Sequence, residues 1–121
     1  MTVPERKVAE YLRTMDIEWV YEQPVFVWDN DGRPRVWTPD FYLTQFGIYL
    51  EVCGSKDFNY EYRKRVFSKN GHCVIFLHLF KEKDLWTNHF KRYLSFFLSQ
   101  RNQKFFGIFN RNMFDIVHTG L

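Results

Sequence analysis

The sequence has few of the features that mark a secreted or membrane-bound chain. It contains two cysteines, Cys53 and Cys73, and both stand inside apolar runs, so buried free thiols are expected in place of a disulfide. No apolar run approaches the length needed to span a bilayer, and the first 12 residues lack the apolar segment of a signal peptide. We therefore predict a soluble, cytoplasmic protein without a membrane partner.

The chain also lacks internal repeats and low-complexity segments, and its charge is only mildly basic. A length of 121 residues is typical of one domain and is sufficient to bury a core without disulfides. The net charge of +3 is compatible with nucleic-acid binding but is weak support for it alone. Aromatic residues make up 21% of the chain, which is enough for both a core and a stacking or contact surface.

Hydrophobic periodicity predicts seven elements in the order α-β-β-β-α-β-α. The expected architecture is an α/β domain in which a three-stranded meander plus a further strand form a small mixed sheet flanked by helices. The predicted core covers residues 3–101, and the apolar tail 102–121 is either a last strand or an arm that packs on a partner. The helices are predicted at 3–15, 57–70 and 83–101, and the strands at 17–29, 35–43, 48–54 and 73–80.

Two carboxylates stand on adjacent predicted strands in "TPDFYLTQFGIYLEVCG". If "TQFG" is a turn, Asp40 and Glu51 can approach to about 5 Å on antiparallel strands, and such a pair repels unless a cation lies between. Oxygen ligands of this kind suit Mg²⁺ or Mn²⁺, with the backbone carbonyl of Val52 as a further ligand. The alternative is that Asp40 belongs to a turn and Glu51 faces solvent, although apolar neighbours surround Glu51.

Glu5 is a third candidate metal ligand. It falls on the same helical stripe as Val8 and Leu12, so it would point toward the sheet. The competing interpretation is a capping box, in which Thr2 and Glu5 satisfy the first amide groups of the helix.

The segments "ERKVAEYL", "WVYEQPV", "TPDF" and "GIYLEVCG" together resemble the core of the PD-(D/E)xK nuclease superfamily. The pattern is similar to phage endonuclease I junction resolvases and to the transposon-end endonuclease subunits of Tn7-type elements, and it covers roughly residues 4–78. The resemblance implies a restriction-endonuclease-like core and DNA cleavage in recombination. It also implies that Glu5, Asp40 and Glu51 are catalytic, metal-binding acids.

The sequence departs from this family at Cys53, which stands where the family has a lysine. A neutral thiol has neither the charge nor the donors of an ammonium group. The replacement cation would come from Lys56, which we favour as the catalytic residue, or from Arg63 or Lys64 on the next helix. The cysteines and histidines do not have the paired spacing of a zinc site.

Two functions remain open from the sequence. The first is a Mg²⁺- or Mn²⁺-dependent endonuclease acting on duplex or branched DNA, with RNA as a weaker alternative substrate and with homodimerisation providing two sites. The second is a catalytically inactive nuclease-fold module for nucleic-acid binding or assembly. In either case, phosphates would be contacted by basic residues bordering the site, namely Arg6, Lys7, Arg33, Arg35, Arg63 and Lys64.

Overall fold

The structure is a computed structural model that describes residues 1–54, 58–81 and 85–118, with side chains as far as Lys104. Three helices and six strands are present in these ranges. The helices are α1 (Val3–Thr14), α2 (Tyr60–Lys69) and α3 (Trp86–His118). The strands are β1 (Val20–Tyr21), β2 (Val25–Trp28), β3 (Pro34–Trp37), β4 (Phe41–Leu43), β5 (Ile48–Val52) and β6 (Val74–Leu77).

The strands form a four-stranded mixed sheet in the order β1-β4-β5-β6 and a separate two-stranded sheet of β2 and β3. β4 pairs antiparallel with both β1 and β5, whereas β6 runs parallel to β5. The predicted mixed α/β class and the parallel strand after α2 are therefore confirmed. A parallel pair needs a crossover connection, which α2 provides.

The predicted three-stranded meander is divided between the two sheets. Each of its first two strands is split at a proline, Pro24 or Pro39, because proline lacks the amide donor that a continuing ladder requires. Glu22 adds a positive φ of 57° just before the first break. The outer halves consequently leave the main sheet and pair as the β2–β3 hairpin, whose turn is closed by Asp29 accepting from the amides of Asp31 and Arg33.

Two apolar clusters cover the two faces of the four-stranded sheet, because successive side chains of a strand alternate between faces. On one face, α1 and α3 contribute Val8, Leu12, Trp86 and Phe90 to the larger cluster. On the other face, α2 and the hairpin pack against Cys53 and Phe76, and the smaller cluster comprises Val25, Val27, Cys53, Val66, Phe67 and Phe76. The result is a three-layer arrangement with the sheet in the middle.

The final helix is much longer than predicted. α3 continues to His118, so the suggestion of a last strand in the tail 102–121 is wrong. The Arg101 guanidinium donates to the carbonyls of Phe46 and Gly47 and so fixes the helix to the β4–β5 turn. The side chains of the proposed dimerisation arm lie outside the described residues. No helix in the described part of the chain is long and apolar enough to cross a membrane.

Candidate active site

The antiparallel register brings Asp40 and Glu51 to the same end of the central sheet. Phe41 pairs with Leu50 and Tyr42 with Tyr49, so the same register continued by one residue sets Asp40 opposite Glu51. The side chains at Tyr49, Glu51 and Cys53 alternate away from the larger cluster, which places Glu51 on the sheet face covered by α2. The predicted turn at "TQFG" is present, with Gly47 at a φ of 64°.

Asp40 lies immediately before β4 and is bonded to the neighbouring strand. Its Oδ2 accepts from the Val52 amide at 2.7 Å. Because the amide and carbonyl of one strand residue point to the same side, the Val52 carbonyl faces the side on which Asp40 lies. Desolvation raises the pKa of the Asp40 carboxyl; the Val52 hydrogen bond opposes this effect, and the nearby Glu5 charge adds to it.

Glu51 is buried and is paired with an arginine. Its Oε1 lies 2.6 Å from Arg63 Nη2, and the two side chains are 10% and 18% exposed. Desolvation raises the pKa of Glu51 despite the opposing effect of this arginine. The alternative of a solvent-facing glutamate is therefore wrong.

The Arg63 guanidinium is held between the acid and the hairpin. Its central carbon lies 4.6 Å from the centre of the Trp37 ring and 5.4 Å from that of Phe67. Its Nε is buried and has no hydrogen-bond partner among the described residues. Since a buried donor without a partner is costly, this nitrogen is suited to an anionic ligand. We refer to Asp40, Glu51, Val52 and Arg63 as the acidic site.

Glu5 interacts with Thr2 at the start of α1, as the capping interpretation predicted, whereas its role as a metal ligand stays a prediction. Thr2 Oγ1 caps the helix by accepting from the Glu5 amide at 3.2 Å, and it donates to Glu5 Oε1 at 2.9 Å. The other carboxylate oxygen accepts from the Tyr21 hydroxyl, and this bond is the main cause of the raised pKa of Tyr21. Glu5 is buried on the inner stripe of α1, as predicted, and its charge acts on Asp40.

Cys53 is fully buried in the smaller cluster. Its thiol contacts the Glu51 carbonyl at 3.8 Å, and burial, followed by the charge of Glu51, raises its pKa to about 12. The side chain is therefore a neutral thiol at physiological pH. It supplies no cation at the position where the resemblance would have a lysine.

The predicted basic residues are spread over several surfaces. Arg6 and Lys7 are exposed on α1, and Arg33 is exposed at the hairpin turn. Arg35 is half-exposed and pairs with Asp29 at 3.0 Å, while Lys64 pairs with Glu61 at 3.4 Å. Lys56, the predicted catalytic cation, lies outside the described residues. Of the two candidate cations that the structure describes, Arg63 and Lys64, it is Arg63 that pairs with a carboxylate of the site.

The side chains suit a divalent ion only in part. No cluster of three or more His, Cys, Asp or Glu residues able to hold a metal ion occurs within residues 1–54, 58–81 and 85–104, whose side chains the structure describes. Asp40 and Glu51 nevertheless give two desolvated carboxylates with raised pKa values, and a cation would offset the cost of ionising them. Together with the Val52 carbonyl they form a set of hard oxygen donors.

The pairing of Arg63 with Glu51 could not be derived from sequence spacing. The length of the segment between residues 51 and 63 does not predict which side chain of α2 reaches Glu51. From the sequence, Lys56, Arg63 and Lys64 therefore all stayed candidates. The available signal was the position of Arg63 three residues before the buried Val66 on α2, which gives it the same helix face.

Comparison of the chain with protein-family models, with curated proteins and with solved structures gave no match. The resemblance to PD-(D/E)xK nucleases therefore depends on the residues themselves.

Proposed function

We propose that this protein is a Mg²⁺- or Mn²⁺-dependent endonuclease with a restriction-endonuclease-like core that hydrolyses DNA phosphodiester bonds. The observation that carries the proposal is the acidic site, in which the buried carboxylate of Glu51 and the partly buried carboxylate of Asp40 lie near the partly buried guanidinium of Arg63. A bound Mg²⁺ or Mn²⁺ would polarise the phosphoryl group and activate water for attack. Asp40, Glu51 and the Val52 carbonyl would hold the ion, with Glu5 adding negative charge from α1.

Arg63 takes the position of the missing lysine in this proposal. A guanidinium stays charged at any physiological pH, so it cannot serve as a proton acceptor. It can donate to phosphoryl oxygens and stabilise the negative charge that develops on them. The unpartnered Nε supports this role because it is a buried donor without an acceptor among the described residues.

In this proposal, the Arg63 guanidinium would bind Glu51 and a DNA phosphate at the same time. In the structure, that charge is shared with Glu51, and a guanidinium carries five donors in a fork. One side of the fork can remain on Glu51 while the other binds a phosphate. The carboxylate would thus orient the guanidinium and also contribute to holding the ion.

The cleavage test uses purified protein with Mn²⁺, with Mg²⁺ and with a chelator, on supercoiled, four-way-branched and single-stranded DNA. Asp40→Asn is the inactivating variant, and Asp31→Asn, which changes an exposed hairpin acid, is its matched control. Metal-dependent cleavage by the wild type and by Asp31→Asn, but not by Asp40→Asn, supports the proposal. Equal cleavage by all three proteins, or none by the wild type, would rule it out.

A second candidate function is a nuclease-fold module that binds nucleic acid without cutting it. The observation favouring it is that Arg63 already neutralises Glu51, while Cys53 supplies no charge. A protein of this kind would bind DNA equally well with metal and with a chelator. Its affinity would also be unchanged by Asp40→Asn, whereas ion binding at the acidic site would make the affinity metal-dependent.

A further inference from the structure

A cavity lies along β6, between α2 and α3. Its volume is about 480 Å³, within the roughly 300–1,000 Å³ range of small-ligand sites. It is formed by the outer edge of β6, which ends the four-stranded sheet, together with α2 and the first turns of α3. The residues that give it its chemical character are Lys64, Phe76, His78, Lys81, Tyr93 and Phe97.

The described lining of the cavity is positively charged. Lys64 and Lys81 line it, and none of the described residues that line it is acidic. The acid paired with Lys64 is Glu61, whose side chain is 75% exposed, so solvent screens this pair strongly. The charge of Lys64 is therefore available to an anion inside the cavity.

His78 adds a buried polar atom that lacks a partner. Its Nδ1 is inaccessible to solvent and has no hydrogen-bond partner among the described residues. Burial, with the charges of Lys81 and Lys64, lowers the pKa of His78, so the ring is neutral at physiological pH. A neutral imidazole nitrogen can either donate or accept, and it is well suited to a ligand that has both kinds of polar atom.

Aromatic faces make up much of the remaining wall. Lys64 Nζ lies 5.4 Å from the centre of the Phe76 ring, which places a cation and an aromatic face side by side. Tyr93 stacks on His89 with an interplanar angle of 24° and is itself 46% exposed. Basic groups that bind phosphate, together with aromatic rings that stack on bases, are the combination by which proteins bind single-stranded nucleic acid.

The cavity and the acidic site are joined by consecutive residues of α2. Arg63 contacts Glu51, whereas Lys64 lines the cavity, and the Lys64 charge also acts on Cys53 next to the acidic site. A strand that crosses α2 can therefore have a phosphate at Arg63 and a following nucleotide in the cavity. A rigid duplex cannot enter a space of this size with a base.

We propose that this cavity binds an unpaired nucleotide of a single-stranded DNA segment lying next to the acidic site. Lys64 and Lys81 contact its phosphates, while Tyr93 and Phe97 stack on its base. The inference deepens the proposed function and rests on it for the choice of DNA as ligand. It specifies DNA with an unpaired segment, such as a flap or a frayed end, as the substrate.

The test measures binding in the presence of a chelator, so that it does not depend on cleavage. A fluorescent single-stranded oligodeoxynucleotide is titrated against the wild type, Lys64→Ala and Tyr93→Ser. Each variant is expected to bind about tenfold more weakly, Tyr93→Ser through the loss of one stacked base and Lys64→Ala through the loss of a phosphate contact. Lys91→Ala, an exposed change on another face of α3, is the matched control and is expected to bind like the wild type.

Two further binding experiments, a competition assay and a comparison with duplex DNA, identify the ligand. Competition by a nucleoside monophosphate and by inorganic phosphate, each used alone, separates a strand site from a site for free nucleotide or phosphate. The single strand is expected to compete far better than either, and equal competition would overturn the proposal. A duplex of the same length that binds as tightly, with the same sensitivity to Lys64→Ala, would also overturn it.

Photocrosslinking of wild-type protein avoids any dependence on variant folding. An oligodeoxynucleotide carrying 5-iodouracil is irradiated in the complex, and the crosslinked residue is mapped by mass spectrometry. Crosslinks at Tyr93 or Phe97 support the proposal, and crosslinks confined to other surfaces contradict it. If the acidic site proves inactive while these crosslinks persist, the proposed cleavage fails and the strand site stands. Cleavage without these crosslinks would support the acidic site and overturn the strand site.

Discussion

Arg63 and Glu51 form a buried ion pair 2.6 Å long that is also covered by the ring of Trp37. The pair joins α2 to the end of β5 at the point where Asp40 meets the same strand. We therefore expect the pair to contribute to the stability of the fold and, in the proposed function, to cleavage. The free energy of unfolding reports the first contribution, and the cleavage rate reports the second.

Removal of Arg63 is expected to destabilise the protein strongly. Arg63→Met leaves Glu51 buried without its partner, which typically costs about 3–5 kcal/mol. The double variant with Glu51→Gln is expected to lose less than the sum of the two single variants, because the second change removes the unpaired charge. The measurement is the free energy of unfolding by urea denaturation.

The Arg13–Glu10 pair is the matched control for this cycle. It has the same 2.6 Å separation, but its side chains are 76% and 60% exposed. Arg13→Met is expected to change the free energy of unfolding by no more than about 1 kcal/mol, as is usual for exposed pairs. If Arg63→Met and Arg13→Met lowered the free energy of unfolding equally, burial would not be the reason that loss of Arg63 destabilises the protein.

Asp40→Asn is expected to abolish cleavage without unfolding the protein. The asparagine oxygen can still accept from the Val52 amide, so the strand contact is preserved. Mutation of a residue that only hydrogen-bonds to a metal ligand lowers metal affinity or activity by about 10- to 100-fold. Loss of Asp40, which is a direct ligand in the proposed site, should therefore lower the cleavage rate by about 100-fold or more. The rate is measured on the DNA that the wild type cuts best, with circular dichroism confirming the fold.

The central sheet could be predicted because its determinants are local. The alternation in "FYLTQFGIYLEV" and the turn before Gly47 set the β4–β5 register, which alone brings Asp40 opposite Glu51. The apolar run that forms β6 follows a helix and therefore pairs in parallel with β5.

The remaining features depend on contacts between segments far apart in the chain. Pro24 and Pro39 each indicate a break in a predicted strand. They do not predict that the resulting segments, β2 and β3, pair as a hairpin that packs on α2. The pairing of Arg63 with Glu51 depends on that hairpin, because Trp37 fixes the guanidinium from the opposite side. The length of α3 was missed because its distal part has no clear amphipathic period to distinguish it from an irregular arm.

Cys53 is expected to be a packing residue with no part in catalysis. Its thiol is buried and its pKa is raised to about 12, so it is neither a nucleophile nor a metal ligand at neutral pH. Cys53→Ala should leave cleavage unchanged and reduce stability by about 1 kcal/mol through the small cavity it creates. Loss of cleavage in a folded Cys53→Ala protein would contradict this assignment.

Asn70 is expected to hold the hairpin against α2. Its side chain accepts from the Trp28 amide at 2.8 Å and donates to the Trp28 and Val66 carbonyls at 2.9 Å and 2.7 Å. Asn70→Ala should cost about 1–2 kcal/mol, because each such bond contributes about 1 kcal/mol and part of this set is replaced by water. Ser68→Ala, an exposed change in the same helix, is the control, and hydrogen exchange at the Trp28 amide reports loosening of the hairpin.

The stability of the metal-free protein is expected to fall as the pH rises through the titration of the acidic site. Burial raises the pKa of both Asp40 and Glu51 in the folded protein above their ordinary values of 3.8 and 4.5. Between the ordinary and the raised pKa, the folded state binds more protons than the unfolded state, so stability decreases with increasing pH. Above the raised pKa, the carboxylates are ionised in both the folded and the unfolded protein. The loss of stability caused by ionising desolvated carboxyls is then complete and no longer changes with pH.

Asp40→Asn isolates the contribution of one carboxyl to this pH dependence. In a chelator, its melting temperature should exceed that of the wild type at neutral pH, and the difference should shrink as the pH approaches 3.8, the ordinary pKa of an aspartate. Mn²⁺ should raise the melting temperature of the wild type at neutral pH but not that of Asp40→Asn, because the ion offsets the cost of ionising the desolvated Asp40 carboxyl, which only the wild type contains. A wild type that gains no stability from Mn²⁺ while Asp40→Asn is more stable would contradict metal binding at the acidic site.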